Sequence, residues 1–347
     1  MKRRLSLALG GLAFAAALGV LAQSRITDAT GRTIALPAKI DRVYAAGPPS
    51  SVLVLAIAPE KLIGWTRAPR PDERAYLPDR LAALPELGRL TGRGNTANVE
   101  VVMQAKPDVI LDVGSTSATY ATLAERVEQQ TGIPYLLFDG TLADTPRLLR
   151  EVGRAIGAPD AAEALARDAE MQLRDVAERL RDVPEAARPS VYFARGPTGL
   201  TTAPRGSLQA ETLALAGGAN VIAAPPGFNG NLINVSVEDV LAANPDIIVA
   251  SDPTFASAIG KLPGWRDLAA VRDKRVYVVP DVPFGWFDSP PGLNRLLGVQ
   301  WLARVLYPKI FAEPLGPRVA AFHRLYYHRE PTDKQVRALL EIAGVSQ

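Results

Sequence analysis

The imidazoles of this chain, His323 and His328, stand five residues apart near its C-terminal end, and cysteine is absent from all 347 residues. A spacing of i, i+5 does not stack two side chains on one helical face, so the pair reads as surface histidines and no metal-ligand set is assigned. Without cysteine there is neither a thiol nucleophile nor a disulfide framework. The G-x-S-x-G elbow, H-E-x-x-H, the Walker phosphate loop and G-x-G-x-x-G are missing too. Asp112, Asp252 and Asp288 could act as acids or bases, but aspartates at strand ends are also ordinary helix caps. The expectation is a protein that binds rather than catalyses, with no cofactor.

The remaining chemistry lies in placed charges. NVEVVMQAKPDVIL, from Asn98, returns as NVSVEDVLAANPDIIV, from Asn234. Aligned on Glu100 and Glu238, the copies share Val99/Val237, Val102/Val240, Ala105/Ala243, Pro107/Pro245, Asp108/Asp246 and Ile110/Ile248, always 138 positions apart. Either glutamate could simply favour a helix start through the helix dipole, an effect of roughly 0.3–1 kcal/mol.

Each copy spells a short amphipathic helix, with apolar residues at i, i+3 and i+4: Val99, Val102, Met103, then Val237, Val240, Leu241. Lys106-Pro107 and Asn244-Pro245 stop it, and a β-branched run follows as a buried strand. RVYAA, LIGW and IPYLLFD add strands around the first copy; SVYFAR and RVYVV add them around the second. Between the halves, Leu165, Ala169, Leu173, Val176 and Leu180 recur at helical spacing behind a capping-box pattern at Asp160 and Glu163. This predicts one long helix over roughly 160–182, ended by Pro184 and Pro189. The fold class is therefore α/β: two doubly wound lobes joined by one long rigid helix, a clamshell. Its parts are a leader over 1–22, a first lobe over 23–145, a connecting helical segment over 146–187 and a second lobe over 188–347.

Ligands of doubly wound sheets bind beyond the carboxyl ends of the strands. The loops there carry Ser50 and Ser51, Trp65 and Arg67, Arg93, Ser115, Arg195, Phe228, Trp286 and Phe287. Arginine suits carboxylate or phosphate because its planar fork donates two parallel hydrogen bonds, and the aromatics suit a partly apolar ligand.

MKRRLSLALGGLAFAAALGVLAQS opens on a basic stretch, an apolar run and small residues, the pattern of a cleaved secretory signal. That leader carries three of the 39 basic residues and none of the 36 acidic ones, so the remainder is charge-balanced. A balanced chain with 48% hydrophobic and 22% charged residues is a globular protein without the basic surface that nucleic acid requires.

The combination of G-x-x-x-N-x-E-x-x-x-x-x-K-P-D-x-x-[IL], a mid-chain helix, S-x-E-x-x-x-x-x-N-P-D-x-I-[IV] and P-G-W-x-x-L-x-A-V resembles the periplasmic binding proteins of ABC importers for ferric siderophores, cobalamin and related chelates. The resemblance covers essentially the whole chain beyond the leader. It implies that Glu100 and Glu238 dock, one per lobe, on arginines of the two subunits of an inner-membrane ABC permease. It implies a periplasmic monomer that captures a small molecule, and the absence of cysteine leaves no acceptor for a lipid anchor. A ferric siderophore heads the expected ligands, with haem, a corrinoid, and molybdate or tungstate at Gly47–Ser51 as alternatives.

Overall fold

The computed structural model describes residues 25–92, 94, 97–228 and 230–344. The expected leader and Arg93 lie outside the described residues.

The β-branched runs form two parallel sheets. In the first, Val109–Gly114 runs between Val43–Ala45 and Tyr135–Asp139, with Val43 opposite Val109 and Ile110 opposite Tyr135. In the second the order is Val276–Val278, Ile247–Ala250, Ser190–Ala194, Ala219–Asn220. The central strands are buried along most of their length, as parallel sheets covered by helices must be. LIGW does not extend the first sheet. Its amides divide between two neighbours, Ile63 N donating to Val43 O at 3.4 Å and Trp65 N to Pro85 O at 2.8 Å, which leaves only isolated bridges.

The repeat builds the same device twice. Val99–Ala105 is capped by Asn98, whose side chain accepts from Val101 N at 3.0 Å; Val237–Ala243 is capped by Ser236, which accepts from Asp239 N at 3.1 Å. Both helices end on a left-handed residue, Lys106 at φ 47° and Asn244 at φ 39°. The proline that follows each one disfavours right-handed helical geometry there. Next comes the shared aspartate. Asp108 Oδ2 accepts from Asp41 N and Arg42 N at 2.7 and 2.9 Å, and Asp246 Oδ2 accepts from Ser190 N and Oγ at 2.8 Å each. Asp108 and Asp246 thus hook the start of the neighbouring strand, a task the spacing alone did not reveal.

The connecting helix spans Pro159–Leu180, about 33 Å at 1.5 Å per residue. It starts one residue before the expected boundary because Pro159 occupies its first turn, where a missing N–H costs nothing. The capping box does not form. Ala158 precedes the helix without a side-chain cap, and Glu163 instead accepts from Arg150 Nε at 2.7 Å. Its buried face, including Leu165, Ala169 and Val176, packs on helices Thr145–Ala155 and Arg295–Leu306.

Helix Gly316–Tyr326 returns to the first lobe and packs on helix Pro48–Ile57. Of the two histidines, His328 is exposed as expected, whereas His323 is not a surface residue. His323 is wholly buried, its ring centroid 5.5 Å from Tyr76 and 4.9 Å from Tyr327, with no hydrogen bond to either nitrogen. Burial pushes its pKa down to about 3. His328 Nε2 lies 3.0 Å from both Leu55 O and Ala56 O. Among the described residues, no helix is long and apolar enough to cross a membrane.

One buried cation crosses between the halves. Arg295, 2% exposed, donates to Gly140 O at 2.6 Å in the first half, and to Leu208 O at 2.9 Å and Glu211 Oε2 at 2.8 Å in the second. The same Glu211 oxygen accepts from Leu142 N of the first half at 2.9 Å.

Candidate functional site

The loops at the carboxyl ends of the two sheets enclose a cavity of about 650 Å³. Helix Pro48–Ile57 brings Ser51 to its wall, and Gly47 lets that helix start close to the floor: a Cβ there would fall 2.6 Å from Thr91 Oγ1. Strand Val109–Gly114 delivers Asp112 and Ser115; strand Ser190–Ala194 delivers Arg195. Trp65 and Phe284, one from each half, meet with ring centroids 6.1 Å apart. Trp65 is held by its indole N–H, which donates to Leu81 O at 2.7 Å.

Of the residues expected at the cleft, the wall contains Ser51, Trp65, Arg67, Ser115 and Arg195. Ser50 is fully buried behind it, and Phe228 is half-buried outside it. Trp286 and Phe287 sit in the core instead, at 0% and 1% exposure. The loop folds back on itself, with Trp286 N donating to Pro280 O at 2.9 Å and Gly285 N to Ser289 O at 2.7 Å. That fold turns Trp286 onto Trp301 and Phe287 onto Phe193, and leaves Phe284 as the aromatic of this loop that faces the cleft. Gly298 makes room, because a Cβ on it would lie 1.7 Å from Trp286 O.

The electrostatics are more balanced than the arginines alone suggested. Among the described residues the wall holds Arg67, Arg70, Arg89 and Arg195 against Glu73, Asp112, Asp281 and Asp288. Arg67 Nη2 donates to both oxygens of Glu73, at 2.8 and 3.0 Å. Arg70 Nη2 reaches Asp281 Oδ2 at 3.1 Å. Sequence reasoning missed Arg70 and Glu73, which stand at a four-residue helix with no periodic signal, and Tyr120, which stands in the first turn of helix Ala118–Thr131.

Asp112 accepts from Thr91 Oγ1, Tyr135 OH and Val113 N, each at 3.0 Å, while its burial pushes the carboxyl pKa upward. Burial pushes the Asp288 carboxyl upward as well, opposed by the charges of Arg195 and Arg295. Arg195 Nε lies 2.7 Å from Asp288 Oδ2. Ser51, 2% exposed in the first turn of its helix, has a hydroxyl with no hydrogen-bond partner. Among the described residues no group of three or more His, Cys, Asp or Glu could hold a metal ion.

Glu100 and Glu238 are exposed in the first turns of the repeat helices and have no ion-pair partner among the described residues. Each helix is joined to the strand that follows it by a short connection, and Val102 and Val240 pack into the cores beside the sheets.

Two α/β lobes, a connecting helix and a solute-sized cleft between strand ends define a two-lobed solute-binding protein. The family model described as periplasmic binding protein matches residues 50–283, and the chain belongs to that family, in its helical-backbone class. It superposes on the ABC transporter solute binding protein from Sulfurospirillum deleyianum with a TM-score of 0.83 and 31% identity, covering 91% of this chain and 99% of that one. An uncharacterized ABC transporter substrate-binding lipoprotein of Bacillus subtilis is 24% identical over 293 residues, 83% of this chain and 87% of the relative. The molybdate-binding protein MolA of Haemophilus influenzae is 35% identical over 117 residues, 32% of each chain. Its molybdate-bound structure matches the fold with a TM-score of 0.69 and 23% identity, covering 88% of this chain and 98% of that one.

Proposed function

We propose that this chain is the exported solute-capturing component of an ABC importer, and that its cargo is an anionic metal chelate of the ferric-siderophore class. The observation that carries this reading is the cavity of about 650 Å³, which joins Arg195 and Arg67 to the aromatic faces of Trp65, Tyr120 and Phe284. A bare oxyanion fills only a fraction of such a space, whereas a chelate with peripheral carboxylate or catecholate oxygens uses both the cations and the rings. Delivery falls to Glu100 and Glu238, one exposed carboxylate per lobe, which suit charge-assisted contacts to arginines of the two permease subunits.

A second reading is a tetrahedral oxyanion such as molybdate. The unpartnered Ser51 hydroxyl at a helix N-terminus favours it, as does the stretch of 35% identity with MolA. Native mass spectrometry against a ferric tris-catecholate, a ferric hydroxamate, haem, cobalamin, molybdate and tungstate separates the two. One retained ferric chelate supports the first reading, and molybdate or tungstate alone replaces it with the second. In cells, Glu100→Arg with Glu238→Arg abolishes uptake at unchanged affinity; uptake that survives the double charge reversal removes the docking assignment.

A further inference from the structure

Asp288 is a buried carboxylate inside a site that attracts anions, where its charge opposes the cargo. Its side chain is 2% exposed, and Oδ2 lies 2.7 Å from Arg195 Nε, yet neither atom completes a hydrogen bond because the N–H does not point at the oxygen. The Nη atoms of Arg195 have no protein partner among the described residues, and its guanidinium carbon stands 5.8 Å from the centre of the Phe193 ring. Arg195 is thus neutralised from behind through a poorly aligned contact while it lines the cavity. An incoming anion that accepts two well-aligned hydrogen bonds improves on that contact.

We infer that Asp288 is an internal competitor for Arg195: it holds the empty site neutral, is displaced as counter-ion when an anion is captured, and so sets the affinity low enough for release to a permease. This rests on the reading of the cleft as an anion site. A buried carboxylate that loses its partner is costly to keep charged, so capture transfers a proton from solvent to Asp288, converting carboxylate to carboxylic acid. The charged groups facing Asp288 are Arg195 and Arg295, the latter itself paired with Glu211 at 2.8 Å. Glu73, Asp112 and Asp281 line the same cavity.

Isothermal titration with molybdate and with a ferric tris-catecholate is carried out on wild type, Asp288→Asn, Arg195→Ala and the double variant. Asp288→Asn tightens the bound anion about tenfold, Arg195→Ala weakens it more than about tenfold, and the asparagine gain shrinks to under about threefold once Arg195 is gone. A weaker Asp288→Asn means that the carboxylate merely orients Arg195, and overturns the inference while leaving the anion site intact. Unchanged affinity in Arg195→Ala, or no binding of either anion by any of the four proteins, overturns the anion site and the inference with it. Wild type gives a reading that does not depend on folding of the Asp288 variant. Repeated in buffers of different ionisation enthalpy, its binding heat reports proton uptake, and Arg195→Ala abolishes that uptake. Zero uptake in wild type overturns the inference.

Discussion

Removing Arg295 should unpin the two halves of the molecule. Its guanidinium donates to Gly140 O, Leu208 O and Glu211 Oε2 at 2.6, 2.9 and 2.8 Å, and it is 2% exposed. Arg295→Met keeps most of the aliphatic volume but leaves Gly140 O without its donor and Glu211 without its cation. Breaking one side of a buried ion pair costs about 3–5 kcal/mol, far more than the pair contributes over an apolar replacement. Urea unfolding followed by tryptophan fluorescence should therefore show Arg295→Met destabilised by about 3–5 kcal/mol. Arg295→Met combined with Glu211→Leu should recover more than half of that loss, because the stranded charge is gone. A single variant that loses under about 1 kcal/mol, or a double variant whose loss equals the sum of the two singles, refutes the reasoning.

Two further outcomes follow from the core. His323 is neutral in the fold because burial holds its pKa at about 3, whereas the unfolded imidazole titrates near 6.5. Its folded pKa lies below the unfolded one, so stability is complete above pH 6.5 and is lost as pH falls from there toward 3, at about one proton, or on the order of 1 kcal/mol, per pH unit. His323→Leu should match wild type at pH 7 and lose distinctly less stability by pH 4.5 in urea melts; parallel pH profiles for the two proteins would contradict the buried, unpartnered ring. Gly298→Ala should cost at least about 2 kcal/mol and loosen the loop that carries Asp288, since the added methyl overlaps Trp286 O at 1.7 Å. Unaltered amide exchange in residues 284–289 would show that the loop yields at no cost.

How much of this was legible depends on the range of the interaction. The repeat announced its helices, stops and strands because a 3.6-residue period and a proline act within a few positions, and the connecting helix emerged within a residue or two of its expected ends. The cleft was legible as a set of loops but not as a register. Whether Phe284, Trp286 or Phe287 faces the ligand is decided by a backbone bond from Trp286 to Pro280 and by an aperture at Gly298, neither of which has a pattern of its own. The capping box failed through a local rule that was present in the sequence: Pro159 claimed the first turn before Asp160 could cap it. His323 was misjudged because its neighbour Tyr76 lies almost 250 positions away and polarity alone suggested solvent.

The hooks at Asp108 and Asp246 stand apart from the cavity between the halves. They grip the amino ends of the sheets, whereas every wall residue of the cavity belongs to the opposite pole or to the segments between the halves. The molecule is in this respect a chassis with an interchangeable mouth. The loops that carry Ser51, Ser115, Arg195 and Asp288 lie apart from both hooks, so a change in those loops leaves the hooks in place.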